Sequence, residues 1–162
     1  MRSLAIAALG LLLTCGTAAA QWVYQKQESA FDDDASNVAL TAVGKYGFGV
    51  RCTGGAAELV FITPDSSFND DTYEFANLTG PVLLLRTDND PVQQLAIKLQ
   101  DVDGTAVARG DADVELIRKI AGAKKRVSVA LKLVGETYHE QQFNVRGSSK
   151  AIEKVIEACG LD

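Results

Sequence analysis

The residues of this chain best suited to chemistry are three cysteines, Cys15, Cys52 and Cys159, and one histidine, His139. To act as a metal ligand or a general base, the imidazole of His139 would need carboxylate or thiolate partners that converge on it. Its nearest acidic neighbour in sequence is Glu140, and strand alternation sends that side chain to the opposite face. We therefore interpret His139 as a structural or partly exposed residue of a strand.

Acidic residues occur in five short groups that resemble pieces of a calcium loop. The groups are Asp32-Asp33-Asp34, Asn69-Asp70-Asp71, Asp88-Asn89-Asp90, Asp101-Val102-Asp103 and Asp111-Ala112-Asp113. None has the spacing of alternating acidic ligands, glycine and bidentate glutamate that defines a calcium loop. Each falls at a predicted turn or helix cap, where Asp and Asn are favoured for backbone reasons. We expect no metal and no cofactor, with calcium at the acidic turns as the alternative.

Residues 1–20 have the pattern of a secretory signal peptide. A positive charge at Arg2 precedes an apolar run over residues 4–13, and small residues lead up to Ala20. The apolar run is shorter than the roughly 20 residues that a membrane anchor requires. We predict cleavage after Ala20 and a soluble mature protein in the periplasm or outside the cell. In the alternative, Cys15 is acylated and anchors the protein to a lipid surface.

Whether the cysteines form a disulfide depends on export. Cleavage after Ala20 removes Cys15 and leaves Cys52 and Cys159 as the only thiols. Disulfides persist in the oxidising compartments that exported proteins reach. We therefore predict a disulfide between Cys52 and Cys159, and neither sulfur would then serve as a nucleophile.

Length and charge restrict the class of protein. Residues 21–162 are enough for one domain with a real core. The whole chain carries a net charge of −5, and loss of the positive charge at Arg2 makes it −6. An acidic exported domain without a large basic patch does not favour nucleic acid or an anionic membrane surface as a partner. No later stretch is long and apolar enough to be a transmembrane segment.

Hydrophobic alternation predicts eight or nine short strands. Residues 36–43, 46–52 and 57–62 are predicted to form an antiparallel meander that contains Cys52 near the end of its middle strand. The remaining predicted strands cover residues 22–27, 82–86, 95–100, 105–109, 127–133 and 137–145.

Two helices complete the predicted elements. Asp111 or Asp113 caps a short mid-chain helix that ends at Gly122. A C-terminal helix follows Gly147, with Ser148 or Ser149 as its cap, and ends at Gly160. Strands and helices do not alternate along the chain. We therefore predict a mainly β (α+β) fold, an antiparallel β-sandwich or open barrel with these two helices.

Residues 63–80 are polar and turn-rich, and we predict that they form the longest irregular loop. The loop contains Phe68, Tyr73 and Phe75, which is more aromatic character than a solvated loop needs. Exposed aromatic side chains with a polar rim mark recognition surfaces. We therefore place a partner-binding surface on these three residues. In the alternative they fold under the loop as a small satellite core.

The order of several short motifs resembles that of small periplasmic accessory proteins of type VI secretion, of the VasI/TagO type. The motifs are the Trp22 opening, Arg51-Cys52 at a strand end, the run from Arg86 to Pro91, and Phe143-x-x-x-Gly147-x-x-x-Ala151 leading to Cys159. The resemblance implies an envelope accessory or binding domain and supplies no catalytic residues.

Two functions therefore compete. The leading hypothesis is a non-enzymatic periplasmic binding or assembly module whose partner is a protein or another envelope component. The alternative is an envelope hydrolase that uses carboxylates brought together by the fold. A hydrolase needs polar groups that converge in a pocket and have shifted pKa values, whereas a binding module needs only an apolar patch or an open sheet edge.

Overall fold

The computed structural model describes residues 21–27, 35–64 and 70–161. The predicted signal peptide lies outside these ranges, as does Phe68. Within them the chain is mainly antiparallel β with three helices, which confirms the predicted fold class. The elements are β1 (Val23–Gln27), β2 (Ser36–Val43), β3 (Tyr46–Thr53), β4 (Ala56–Ile62), α1 (Asp70–Leu78), β5 (Val82–Thr87), β6 (Gln93–Ala96), β7 (Lys98–Val102), β8 (Thr105–Asp111), α2 (Val114–Gly122), β9 (Arg126–Leu133), β10 (Glu136–Asn144) and α3 (Ser148–Cys159).

The strands form two sheets with opposed apolar faces. The larger sheet has the order β1-β2-β3-β4-β8-β7 and contains the predicted meander β2-β3-β4. The smaller has the order β10-β9-β5-β6. Period-two alternation turns Phe48 and Phe61 of the larger sheet toward Phe143 of the smaller, with ring centroids 5.6 and 6.3 Å from that of Phe143. All three rings are buried, and they form the centre of the core.

The strand predicted over residues 95–100 is wrong in one respect, because the chain changes sheets within it. β6 pairs with β5 in the smaller sheet, while β7 pairs with β8 in the larger. Between them Ile97 is buried, and its N–H donates to the Pro81 carbonyl at 3.1 Å. At this corner a Cβ on Gly110 would lie 2.6 Å from the Ala96 carbonyl oxygen, so the close approach requires glycine.

The helices α2 and α3 pack against each other and close one end of the sandwich. Asp113 caps α2 as predicted, since its Oδ1 accepts the N–H of Leu116 at 2.8 Å. The predicted serine cap of α3 is wrong. Gly147 is the N-cap, and the hydroxyls of Ser148 and Ser149 donate to the Ala121 carbonyl at 3.4 and 2.6 Å. The serines therefore satisfy a carbonyl at the end of α2 and join the two helices.

The predicted disulfide is confirmed. Cys52, near the end of β3, is bonded to Cys159 in the last turn of α3, with a Cα–Cα distance of 6.4 Å. Gly160 follows in the left-handed conformation and ends the helix, as predicted. The bond ties the C-terminal helix to the middle of the larger sheet across 107 residues of sequence.

Removing this disulfide should lower the free energy of unfolding by about 4–5 kcal/mol, because a cross-link across so long a loop restricts the unfolded chain most. Cys159→Ala is the suitable variant, since Cys159 is only half-buried and loses less packing than the fully buried Cys52. Denaturant unfolding measures the loss, with Ala158→Ser as the neighbouring control. Equal stability of Cys159→Ala and the oxidised wild type would contradict this account.

Asp88 illustrates why acidic residues stand at the turns. Its carboxylate accepts the backbone N–H groups of Lys124, Lys125 and Arg126 at 2.8, 2.7 and 3.0 Å. These bonds, with that from Lys124 the strongest influence, lower the pKa of Asp88 below its ordinary value. The turn after β5 is thereby joined to the start of β9.

Asp88→Asn should lower the melting temperature at neutral pH. Asn tolerates the positive φ of 52° at this position, so the variant tests the charge and its bonds rather than the backbone. Because the pKa of Asp88 is lower in the folded state, its stabilisation is present above the unfolded pKa and is lost as the pH falls through the folded pKa. Melting curves from pH 8 to pH 2 should therefore converge at the acidic end.

The matched control is Asp103→Asn, a second left-handed aspartate with φ of 53°, at the exposed tip of the β7–β8 hairpin. It should show no comparable gap in melting temperature. A gap for Asp88→Asn that persists unchanged to pH 2 would show that the carboxylate charge is not the cause.

Candidate functional site

The predicted irregular loop over residues 63–80 is wrong in its second half, which forms the helix α1. Tyr73 and Ala76, three residues apart, are buried on one side of α1, whereas Phe75 is 66 % exposed. The spacing of Tyr73 and Ala76 and the acidic residues of the first turn are the sequence signals that indicate this helix. The structure thus divides the predicted binding surface: Tyr73 belongs to the core, Phe75 faces outward, and Phe68 lies outside the described residues.

Asn77 attaches α1 to the edge of the larger sheet. Its side-chain amide donates to the Leu99 carbonyl at 2.9 Å, and its Oδ1 accepts the Leu99 N–H at 2.8 Å. This pair of bonds repeats the pattern that a neighbouring strand would make with β7. A side chain therefore takes the place of a backbone partner, and α1 is held over the end of the sandwich.

Beneath α1 lies an apolar cavity of about 330 Å³. Its floor consists of buried residues from α1 and four strands or strand ends: Thr63, Ala76, Leu99, Ala106 and Leu131. The hydroxyl of Thr63 donates to the Ala106 carbonyl at 3.2 Å and so presents little polarity to the space. A concave apolar space of this volume lies within the range of small-molecule binding pockets, which begins at about 300 Å³.

The mouth of the cavity carries exposed apolar side chains, which we call the apolar rim: Phe75, Val134 and Tyr138. They are 66, 76 and 44 % exposed. Phe75 comes from α1, and the other two come from the β9–β10 hairpin on the opposite side. Large apolar side chains grouped around a concavity differ from singly scattered ones, because together they form a surface that a partner can cover.

A β-bulge directs two side chains of β10 toward this mouth. Tyr138 pairs with Leu131 and Gln141 with Val129, so His139 and Glu140 together oppose a single residue of β9. The φ of His139 is 54°, unusual for a non-glycine residue in a strand. Tyr138 and His139 consequently both line the cavity, although strict alternation would place them on opposite faces.

His139 is half-buried beside Tyr46. The Tyr46 hydroxyl and His139 Nδ1 lie 3.3 Å apart, and the two ring centroids are separated by 6.0 Å. The half-buried strand position agrees with the interpretation from sequence. Glu140 lines a depression on the other face of the smaller sheet, as alternation predicted. Because of the bulge, however, His139 also borders the cavity, and the sequence carries no signal for this.

The charges near the cavity are few. No carboxylate, lysine or arginine is among its lining residues in the described part of the chain. At the mouth the Tyr138 hydroxyl donates to Glu136 Oε2 at 3.1 Å, and this bond together with the negative charge of Glu136 raises the pKa of Tyr138. A carboxylate therefore stands beside the mouth, hydrogen-bonded to a residue of the rim.

Several acidic groups elsewhere have structural partners. Glu58 on the outer face of the larger sheet lies 3.5 Å from Arg51 and 4.0 Å from Arg109. Asp101 Oδ1 accepts the N–H of Gly104 within a hairpin turn. Over residues 21–27, 35–64 and 70–161, no three His, Cys, Asp or Glu side chains come together as metal ligands would. The cavity is thus the feature most clearly shaped for binding.

Comparison with protein-family models, curated proteins and solved structures finds no match to this chain. Among the described helices, none combines the length and the apolar character needed to cross a membrane. The assignment of a function therefore depends on the geometry of the cavity and its rim.

The two predicted aromatics on α1 should separate in a stability experiment. Tyr73→Ala should lower the free energy of unfolding by about 3 kcal/mol or more, because it empties a buried site. Phe75→Ala should change it by less than about 0.5 kcal/mol, since most of that side chain already faces water. Denaturant unfolding of both variants measures the difference. A loss for Phe75→Ala as large as that for Tyr73→Ala would remove Phe75 from the binding surface.

Proposed function

We propose that this protein is a non-enzymatic binding or accessory module of a bacterial envelope, exported to the periplasm, and that its partner places an apolar group in the cavity. The observation that carries the proposal is the combination of an apolar cavity of about 330 Å³ with an exposed apolar rim. Covering such a surface removes apolar area from water, which contributes about 25 cal/mol of favourable binding free energy per Å² buried. An interaction of this kind requires no catalytic group.

The placement in the envelope is supported by the pattern of residues 1–20 and by the confirmed disulfide, which is compatible with an oxidising compartment. The resemblance to small periplasmic accessory proteins of type VI secretion points in the same direction. The partner in this proposal is a protein or another envelope component.

The lining of the cavity favours binding over hydrolysis. Acid–base hydrolysis requires titratable groups within hydrogen-bond reach of the substrate, and carboxylates are the groups on which the alternative hypothesis depends. Among the described residues that line the cavity there is no carboxylate, and the titratable side chains there are Tyr138 and His139. The carboxyl group with a lowered pKa, Asp88, is held by backbone N–H groups at a turn after β5, where its charge has a structural use.

Filling the cavity tests the proposal. Ala106 is a buried floor residue, and Ala106→Leu should occupy the space with little change in melting temperature. The uncharged fluorophore N-phenyl-1-naphthylamine should bind the wild-type protein with enhanced fluorescence and should bind Ala106→Leu at least about tenfold more weakly. Ala42→Leu, on an exposed strand position, is the control and should bind as the wild type does. Failure of the wild type to bind the fluorophore would overturn the proposal.

A further inference from the structure

Building on the proposed function, we infer that the cavity binds the uncharged aliphatic chain of a small amphiphile, and that Val134 is an affinity-determining residue of its rim. The inference depends on four properties of the site: its size, the chemistry of its floor, the charge at its mouth and the backbone of the β9–β10 turn.

The size of the cavity favours a small molecule over a single side chain of a protein partner. A cavity of about 150 Å³ lined by apolar side chains already accommodates a benzene-sized ring. The cavity beneath α1 has about 330 Å³. One inserted aliphatic or aromatic side chain would leave part of this space empty, and empty space forfeits packing contacts. A longer apolar body fills it better.

The floor favours an aliphatic ligand. The buried lining residues Leu99, Ala106 and Leu131 are aliphatic, whereas the aromatic side chains Phe75 and Tyr138 stand at the mouth. A ring bound against these aliphatic side chains would find no aromatic partner among them, and the His139 ring that also borders the cavity is only half-buried. A flexible chain gains its contacts from dispersion and water release alone, and an aliphatic floor supplies both.

The charge at the mouth favours an uncharged ligand over an anionic one. The Glu136 carboxylate accepts the hydrogen bond of Tyr138 at the rim, so an anionic head group entering there would meet a like charge. The chain as a whole is acidic, with a net charge of −5. Within the described ranges, no lysine or arginine is among the residues that line the cavity. A neutral head group avoids the repulsion.

The turn between β9 and β10 contains a residue that its backbone disfavours. In the part of the chain that the structure describes, three two-residue hairpin turns have positive φ at both positions: Gly54-Gly55, Asp103-Gly104 and Val134-Gly135. Such turns favour Asn, Asp or Gly at the first position, and the first two turns obey this rule. Val134 does not. It is β-branched, its φ is 49°, and its side chain is 76 % exposed. Both the backbone and the exposure act against valine here.

An outlier of this kind at the rim of a cavity indicates that the side chain has a use there. Covering Val134 with a bound aliphatic chain removes apolar area from water, and the free energy of this burial is available only in the complex. The residue that opposes stability in the turn therefore contributes to affinity for an aliphatic ligand.

Displacement of N-phenyl-1-naphthylamine from the purified protein tests the ligand class. At pH 7.5, 1-decanol should displace the fluorophore, and decanoate, which has the same chain length and an anionic head, should require at least about a tenfold higher concentration. Displacement by decanoate at the same concentration as decanol, or binding of the fluorophore without displacement by decanol, would overturn the inferred ligand while leaving the proposed binding function standing. Absence of fluorophore binding would instead overturn the proposed function.

Val134→Asn tests the role of the rim residue and carries its own internal check. Because Asn suits the left-handed turn position, the variant should melt at a higher temperature than the wild type, and its affinity for decanol should be at least about fivefold lower. Asp103→Asn in the equivalent β7–β8 turn should leave decanol affinity unchanged. A variant Val134→Asn that melts higher and binds decanol as tightly as the wild type would overturn the role of Val134.

Discussion

The structure depends on the need of two sheets to bury their facing apolar sides. Alternation alone brings Phe48, Phe61 and Phe143 together, but a sandwich also has two open ends that must be closed. At one end α2 and α3 provide closure, and the disulfide from Cys159 to Cys52 holds it in place. At the opposite end, beyond the start of β3 and the finish of β9, closure falls to the nine-residue helix α1. The cavity lies at this second end, beneath α1.

The two ends also differ in how their backbone groups are satisfied. At the helical end, serine hydroxyls and glycine caps complete the hydrogen bonds of regular elements. At the cavity end, a side-chain amide from Asn77 substitutes for a strand, and β10 departs from regular pairing at His139. Irregular backbone of this sort is common beside binding sites, since it turns side chains toward a space that regular alternation would leave unlined. The cavity and the local irregularities of the backbone thus occur at the same end of the sandwich.

An apolar rim has a physical consequence for any protein that carries it. Exposed apolar area favours association with any partner that can cover it, so an acidic surface that keeps copies of the protein apart is a useful accompaniment. The net charge of −5 and the Glu136 carboxylate at the mouth meet this need. The Glu136 carboxylate adjoins the mouth of the cavity, so a charge that opposes association of copies also lies beside the rim.

The sequence by itself determined the features that have a local signal, and the disulfide, for which one pairing of cysteines remained. Period-two patterns located β2, β3 and β9, and Asp111 or Asp113 marked the start of α2. The predicted removal of Cys15 with the signal peptide left one pairing, that of Cys52 with Cys159. Tertiary structure decided the division of residues 93–102 between two sheets, the burial of Tyr73 but not Phe75, and the approach of Tyr138 and His139 to one cavity. Each of these depends on contacts between residues distant in sequence. The division between sheets depends on the corner at Gly110, the position of α1 depends on the edge of β7, and the approach of Tyr138 and His139 depends on the bulge opposite β9. Local propensity carries no information about such contacts, because the partner that fixes each conformation lies elsewhere in the chain.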